Sequence, residues 1–132
     1  MYRTLTAALA ALTLAAPAGA APFRAENRVS VTAAPGGFLV HGGGGQGARG
    51  MWCAAADYAR EVLGAPQTQR VYVAQDSPRG LGLRQPVLFT LDPSGLTPSR
   101  FLIVGGSVGR AGANLLIGHA YSFCADHRLP RY

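Results

Sequence analysis

Residues 48–63 decide the fold, and they read ARGMWCAAADYAREVL. Apolar residues recur in this stretch at the helical period, and Asp57, Arg60 and Glu61 fall on the opposite side. Gly64 and Pro66 then end the pattern, as they commonly do after a helix. The sequence predicts a single amphipathic helix, whose apolar face comprises Trp52, Ala55, Ala56, Ala59, Val62 and Leu63.

Short runs of apolar and β-branched residues flank the helix, with glycine and proline between them. They predict six strands, over residues 28–32, 38–41, 70–74, 87–91, 101–104 and 115–120. Pro35 and Gly36 have the chemistry of a type II turn, which joins the first two strands in a hairpin. Residues 105–112 are rich in glycine and predict a long hairpin connection between the last two strands. One helix and about six short strands predict an α+β fold, a mostly antiparallel sheet packed against the helix.

The N-terminus has the pattern of a cleavable signal peptide over residues 1–20. Arg3 precedes an uncharged apolar run that is too short to span a bilayer, and Ala18 and Ala20 are the small residues that a signal peptidase recognises. Cleavage after Ala20 leaves residues 21–132, a length that fits one domain. We therefore expect a periplasmic or secreted protein with no membrane span.

Positive charge dominates the chain. All 12 basic residues are arginine, and they stand against 6 carboxylates; removing Arg3 with the signal leaves 11 against 6, a net charge of +5. The arginines are scattered singly, without a basic run, so the sequence does not predict nucleic-acid binding. Long-range attraction to an anionic ligand or surface is compatible with this charge.

Two cysteines, Cys53 and Cys124, are present in the whole chain. In an oxidising compartment an even pair of cysteines favours a disulfide. Cys53 falls at the edge of the apolar helix face and Cys124 at the end of the last predicted strand. We predict that these two residues are bonded to each other.

Trp52-Cys53-Ala54-Ala55, near the start of a helix, resembles the nucleophile segment of papain-like cell-wall amidases. The resemblance implies a thiolate at Cys53 that is stabilised by the helix N-terminus, with a histidine on a later strand as its base. Gly118-His119 is the candidate for that histidine. Catalysis by Cys53 and His119 is thus the alternative to a purely structural disulfide, and it requires Cys53 as a free thiol.

The glycine-rich residues 42–47 formally contain G-x-G-x-x-G between a strand and a helix. No acidic residue follows at the spacing of a dinucleotide fold, and the chain is too short for the βαβ units of that fold, so we predict no nucleotide cofactor. Free backbone N–H groups at Gly45 and Gly47, with Arg49 beside them, could instead hold a carboxylate or phosphate. The other interpretation is a flexible connection without a ligand.

A metal site is not predicted. Cys124, Asp126, His127 and the isolated His41 are ligand types, but their spacing matches no structural zinc pattern.

Four parts of the chain form a further pattern: Ala25-Glu26-Asn27-Arg28, the helix segment Trp52 to Ala59, Phe89-Thr90-Leu91-Asp92, and His119-Ala120 with Phe123-Cys124. Together they resemble a group of short exported proteins of alphaproteobacteria. The resemblance implies a periplasmic protein in which both cysteines belong to the pattern. We expect a non-enzymatic binding or structural module whose partner is an envelope protein or an anionic ligand; the alternative is a thiol-dependent cell-wall hydrolase.

Overall fold

A computed structural model describes residues 21–77, 85–99 and 107–130. Within these residues one sheet has the strand order β1-β2-β3-β5-β4-β6, and all neighbouring strands are antiparallel. The strands are β1 (Phe23–Arg24), β2 (Ser30–Ala34), β3 (Gly37–His41), β4 (Arg70–Val73), β5 (Val87–Thr90) and β6 (Asn114–Leu116). The helices are α1 (Gly47–Glu61), α2 (Ile117–Ser122) and α3 (Ala125–Arg128). The α+β class, with an antiparallel sheet packed against helix, is confirmed.

The predicted hairpin is present as β2 and β3. Val31 pairs with Val40 and Thr32 with Leu39, and Gly36 has the positive φ of 82° that its turn position requires. The predicted start of the first strand at Arg28 is wrong. Arg28 lies in a turn with a φ of 66°, its N–H donates to the carbonyl of Ala25, and pairing with β3 begins at Ser30.

The two faces of the sheet differ in burial. Buried side chains on one face include Val31, Phe38, Val40, Val71, Val73, Val87 and Phe89. Helix α1 packs on this face, where Trp52 lies edge-on to Phe89 at 5.1 Å between ring centroids and Tyr58 lies 4.6 Å from Phe38. The alternating positions belong to the outer face, and they include the half-buried Thr32, Leu39 and Leu88.

Helix α1 is more enclosed than an amphipathic pattern predicts. Trp52, Ala55 and Ala59 are fully buried, as predicted, and the rest of the stretch from Gly50 to Ala59 is buried as well. Asp57, which the sequence places on the polar side, is only 7% exposed. This second side of α1 is covered by α2, which packs along it, and by the turn after β1.

The C-terminal end of α1 differs from the prediction. Val62 and Leu63 were expected in the apolar face but are 49% and 47% exposed. The helix ends at Glu61, and Gly64 reverses the chain with a φ of 64°. Positions 62 and 63 therefore leave the face that the helical period assigns to them.

The last predicted strand, 115–120, is wrong beyond Leu116. From Ile117 the chain forms α2, anchored where the N–H groups of Ile117 and Gly118 donate to the carbonyls of Gln69 and Gln67. The prediction of one helix is corrected to three within the described residues, α2 and α3 being too short to show a helical period. The strand predicted over 101–104 lies outside the described residues, and so do residues 105 and 106 of the connection.

Candidate functional site

The predicted disulfide between Cys53 and Cys124 is confirmed, with the Cα atoms 4.9 Å apart. Both cysteines are fully buried. Cys124 lies between α2 and α3 rather than at a strand end, so the bond ties the first half of α1 to the C-terminal helices. It also takes up the thiol that the hydrolase interpretation assigns to Cys53.

His119, the predicted partner of Cys53, lies on α2 and not on a strand. Its side chain is on the exposed side of that helix, and its ring is tilted against Phe123 at 5.4 Å between centroids. The strand expected at this point would have placed His119 beside Leu115 and Ile117. Cys53 is buried and bonded whereas His119 is exposed, so the structure does not present them as a thiol and imidazole pair.

The glycine loop before α1 has a defined conformation. Gly42, Gly44, Gly45 and Gly47 all have positive φ. A Cβ added at Gly50 would lie 1.7 Å from the carbonyl oxygen of Gly43, so the loop approaches the helix more closely than any side chain allows. The glycines therefore serve close packing of the loop on the first turn of α1.

Arg49, the side chain of the predicted anion site, already holds a carboxylate from the same chain. Its Nε donates to Asp126 Oδ2 at 2.6 Å and its Nη2 to Oδ1 at 3.3 Å, and its guanidinium lies 4.2 Å from the centre of the Phe123 ring. The hydrogen bond to Asp126 raises the pKa of Arg49. Gly45 and Gly47, the other two residues of the predicted anion site, are exposed. The anion that Arg49 binds in this structure is the side chain of Asp126 in the same chain.

A second polar group, which we call the Glu26 cluster, comprises Glu26, Asp57, Arg60, Tyr121 and Arg128. The Tyr121 hydroxyl donates to Glu26 Oε2 at 2.7 Å, and Arg128 donates to Glu26 Oε1. The Glu26 backbone N–H donates to Asp57 Oδ2 at 2.8 Å. Arg60 is 3.9 Å from Asp57 Oδ1 and stacks over Tyr121, 3.9 Å from the ring centre. The cluster thus joins the turn after β1 to all three helices.

The two carboxyl groups of the Glu26 cluster are shifted in opposite directions. The hydrogen bond from Tyr121, with the contribution of Arg128, lowers the pKa of Glu26. Burial raises the pKa of Asp57, and the charge of Glu26 adds to that increase. The hydrogen bond from the Glu26 backbone N–H and, to a smaller degree, the charge of Arg60 lower the pKa of Asp57 but offset only part of the effect of burial.

The Glu26 cluster is not among the sites that the sequence pattern predicts. A signal was nevertheless available, because Asp57 interrupts the alanine-rich centre of the helix, and Glu26 and Asn27 lie one residue beyond the short β1. Asn27 is 2% exposed, and its side-chain amide donates to the carbonyl of Gly50 at 2.8 Å. Polar residues in this segment therefore fix the turn to α1 rather than face solvent.

The residues considered for metal binding are dispersed. His41 Nε2 lies 2.8 Å from the Thr32 hydroxyl at the hairpin, far in sequence from Asp126 and His127 on α3. Over residues 21–77, 85–99 and 107–130, no group of three or more His, Cys, Asp or Glu residues is arranged to hold a metal ion.

Of the helices in these ranges, none has the length and apolar character needed to cross a bilayer.

Comparison of the chain with protein-family models, with curated proteins and with solved structures finds no match in any of the three. The features that bear on function are therefore the disulfide, the Arg49–Asp126 pair, the Glu26 cluster and the surface of the sheet.

Proposed function

We propose that this chain is an exported, non-enzymatic binding module of the cell envelope, whose helical layer is a fixed support and whose sheet presents the binding surface. The observation that carries the proposal is the buried Cys53–Cys124 disulfide. A bond of this kind persists in oxidising compartments, and it leaves Cys53 without the nucleophilic thiolate that catalysis would need.

The outer face of the sheet supplies the surface. Thr32, Leu39 and Leu88 lie side by side across β2, β3 and β5, because Leu39 pairs with both of the others. All three are half-buried, and Tyr72 on β4 is half-buried at an alternating position of the same kind. Apolar side chains that retain exposure on a sheet face are typical of protein interaction surfaces. An envelope protein is therefore the expected partner.

Site-specific crosslinking in intact cells tests this proposal. A photoreactive amino acid at Leu39 should give one discrete adduct of higher mass in the envelope fraction. The matched control carries the same group at Ser94, an exposed turn residue beyond the end of β5. An adduct at both positions, or at neither, would contradict a specific surface around Leu39.

Reduction distinguishes the module from the hydrolase. We expect the purified protein to leave isolated cell wall intact both with and without a reductant. Release of soluble wall fragments that appears on reduction and is lost in Cys53→Ser would establish the thiol-dependent hydrolase instead.

A further inference from the structure

Helix α3 is attached to the molecule in an unusual manner. None of its residues, Ala125 to Arg128, is buried, so no apolar side chain of this helix holds it to the core. The disulfide at Cys124 fixes only its beginning. The ring of His127 is half-buried, with its Nδ1 enclosed and without a hydrogen-bond partner. The ion pairs of α3 are formed by the two residues on either side of it, Asp126 and Arg128.

These two side chains form ion pairs with different parts of the molecule. Asp126 binds Arg49 at the start of α1, and the carbonyl of Asp126 accepts a bond from the Gln46 side chain at 3.5 Å. Arg128 binds Glu26 in the turn after β1. Both pairs are partly exposed, with side-chain exposures of 35% and 25% for the first and 57% and 27% for the second. Exposed pairs are weak individually and are screened by salt.

We propose that α3 is an electrostatic strap, held closed by the Arg49–Asp126 and Glu26–Arg128 pairs and released by acid or by salt while the disulfide-linked core stays folded. In the closed strap the Asp126 carboxylate is bound to the Arg49 guanidinium, in the place that an external anion would take. Release leaves that guanidinium stacked on Phe123 and open to an external carboxylate or phosphate. The strap is therefore an autoinhibitory contact at the predicted anion site.

Several titratable groups face the strap. Glu26 contacts Tyr121 from α2 and Arg128 from α3, and its backbone meets Asp57 from α1. Arg60 adds positive charge near Glu26, and the His127 ring is carried on α3 itself. The pKa of Glu26 is lowered first by the hydrogen bond from Tyr121 on α2 and then by Arg128. The part that comes from Arg128 stabilises the closed strap at neutral pH, and it is lost as the pH falls through the folded-state pKa of Glu26.

Nuclear magnetic resonance of the full chain tests the strap. Carboxyl carbon shifts of Glu26 and Asp126 report when each group takes up its proton. At pH 7 and low salt we expect the amides of residues 125–129 to have order parameters close to the rigid value of about 0.85, as Val71 and Val73 in β4 should. On protonation of both carboxyls, or in high salt at pH 7, the strap amides should fall below about 0.6 while β4 stays rigid.

A pair of double variants provides the control. Glu26→Gln with Asp126→Asn should open the strap at pH 7 and remove its dependence on salt. Asp76→Asn with Asp92→Asn removes the same number of carboxylates from loops beyond β4 and β5 and should leave the strap closed. The proposal is overturned if the strap stays rigid after both carboxyls are protonated, if it loosens only together with β4, or if the control pair loosens it equally. The salt series on the unmodified protein decides the question even if a variant fails to fold.

Discussion

Trp52 contributes the largest side chain among those that are fully buried, and its ring packs edge-on against Phe89 between α1 and the sheet. We expect Trp52→Ala to lower the free energy of unfolding by about 3 kcal/mol, because removal of a large buried aromatic leaves a cavity that closes only in part. Urea unfolding followed by circular dichroism measures the change. Val62→Ala is the control directly after the end of the same helix and, at 49% exposure, should stay within about 0.5 kcal/mol. A similar small effect at Trp52 would contradict its place in the core.

Asp57 gives a prediction about pH with a definite sign. Burial raises its pKa, so the folded state holds the proton more tightly than the unfolded state. The stabilising contribution of this group is therefore fully present below the unfolded pKa and is lost as the pH rises through the folded pKa. We expect the stability of the unmodified protein, relative to Asp57→Asn, to increase as the pH is lowered from 7 into the acid range.

Asp92 is the matched control for Asp57, with the opposite sign. Its pKa is lowered by hydrogen bonds from Ser94, so its contribution is lost as the pH falls. The unmodified protein should lose stability relative to Asp92→Asn over the same range, as measured by urea midpoints at each pH. A relative stability of the Asp57 variant that does not change with pH would mean that Asp57 titrates normally.

Single residues also show where a sequence pattern ceases to determine structure. The positions of Trp52, Ala55 and Ala59 followed from the helical period, because the period is reliable within a helix. The exposure of Val62 and Leu63 did not follow from the period. Burial at a helix end depends on the direction that the chain takes after the helix, and the helical period carries no information about that direction. Asp57 was misplaced for a related reason. Its burial depends on the turn after β1, which lies 31 residues away in sequence.

At the scale of elements, the contact between the glycine loop and α1 is the closest that the described glycines make. We expect Gly50→Ala to destabilise the protein by more than 1 kcal/mol, roughly the range of overpacked positions, because the new Cβ would collide with the Gly43 carbonyl. Thermal unfolding measures this. Gly109→Ala is the control, because its φ is not positive and its added Cβ would have only the Ser107 hydroxyl nearby, at 3.5 Å. An effect at Gly50 no larger than at Gly109 would show that the loop can move away.

The elements themselves were predictable to differing degrees. The hairpin of β2 and β3 carries strong turn chemistry at Pro35 and Gly36, and β4 and β5 are runs of β-branched and aromatic residues between breakers. By contrast, α2 follows β6 without a break, and its two buried residues, Ile117 and Ala120, are too few to show a helical period. The candidate site was the least predictable part, because the Glu26 cluster combines a residue from the turn after β1 with residues of all three helices.

For the whole molecule, the disulfide is expected to dominate stability. Closing a loop across a separation of 71 residues contributes roughly 4 kcal/mol on the chain-entropy model, a large part of the 5 to 15 kcal/mol that is typical of folded domains. We expect Cys53→Ala with Cys124→Ala to lower the free energy of unfolding by about that amount in urea titrations. A thiol assay of the unfolded, unreduced protein should detect no free sulfhydryl. Two reactive thiols in that assay would contradict the bond.

The intact mass of the protein recovered from the periplasm addresses export directly. We expect the chain to begin at Ala21, because Ala18 and Ala20 stand at the recognition positions and Pro22 disfavours cleavage one residue later. Loss of residues 1–20 together with two hydrogens, for the disulfide, is the expected mass change. A chain that retains residues 1–20 would remove the basis for the envelope assignment.

The separation of the two cysteines along the chain also sets a delay between the synthesis of Cys53 and that of Cys124. Because a chain is made from its N-terminus, Cys53 emerges 71 residues before Cys124, which at about 5 to 20 residues per second is a delay of roughly 4 to 14 s. In a chain that is exported while it is being made, Cys53 is throughout that interval a thiol without an intramolecular partner, open to a mixed disulfide with an oxidase or with another molecule. With two cysteines in all, the chain has no wrong internal pairing to correct. Misfolding through sulfur chemistry is thus restricted to links between molecules, and it should depend on how densely nascent chains are crowded.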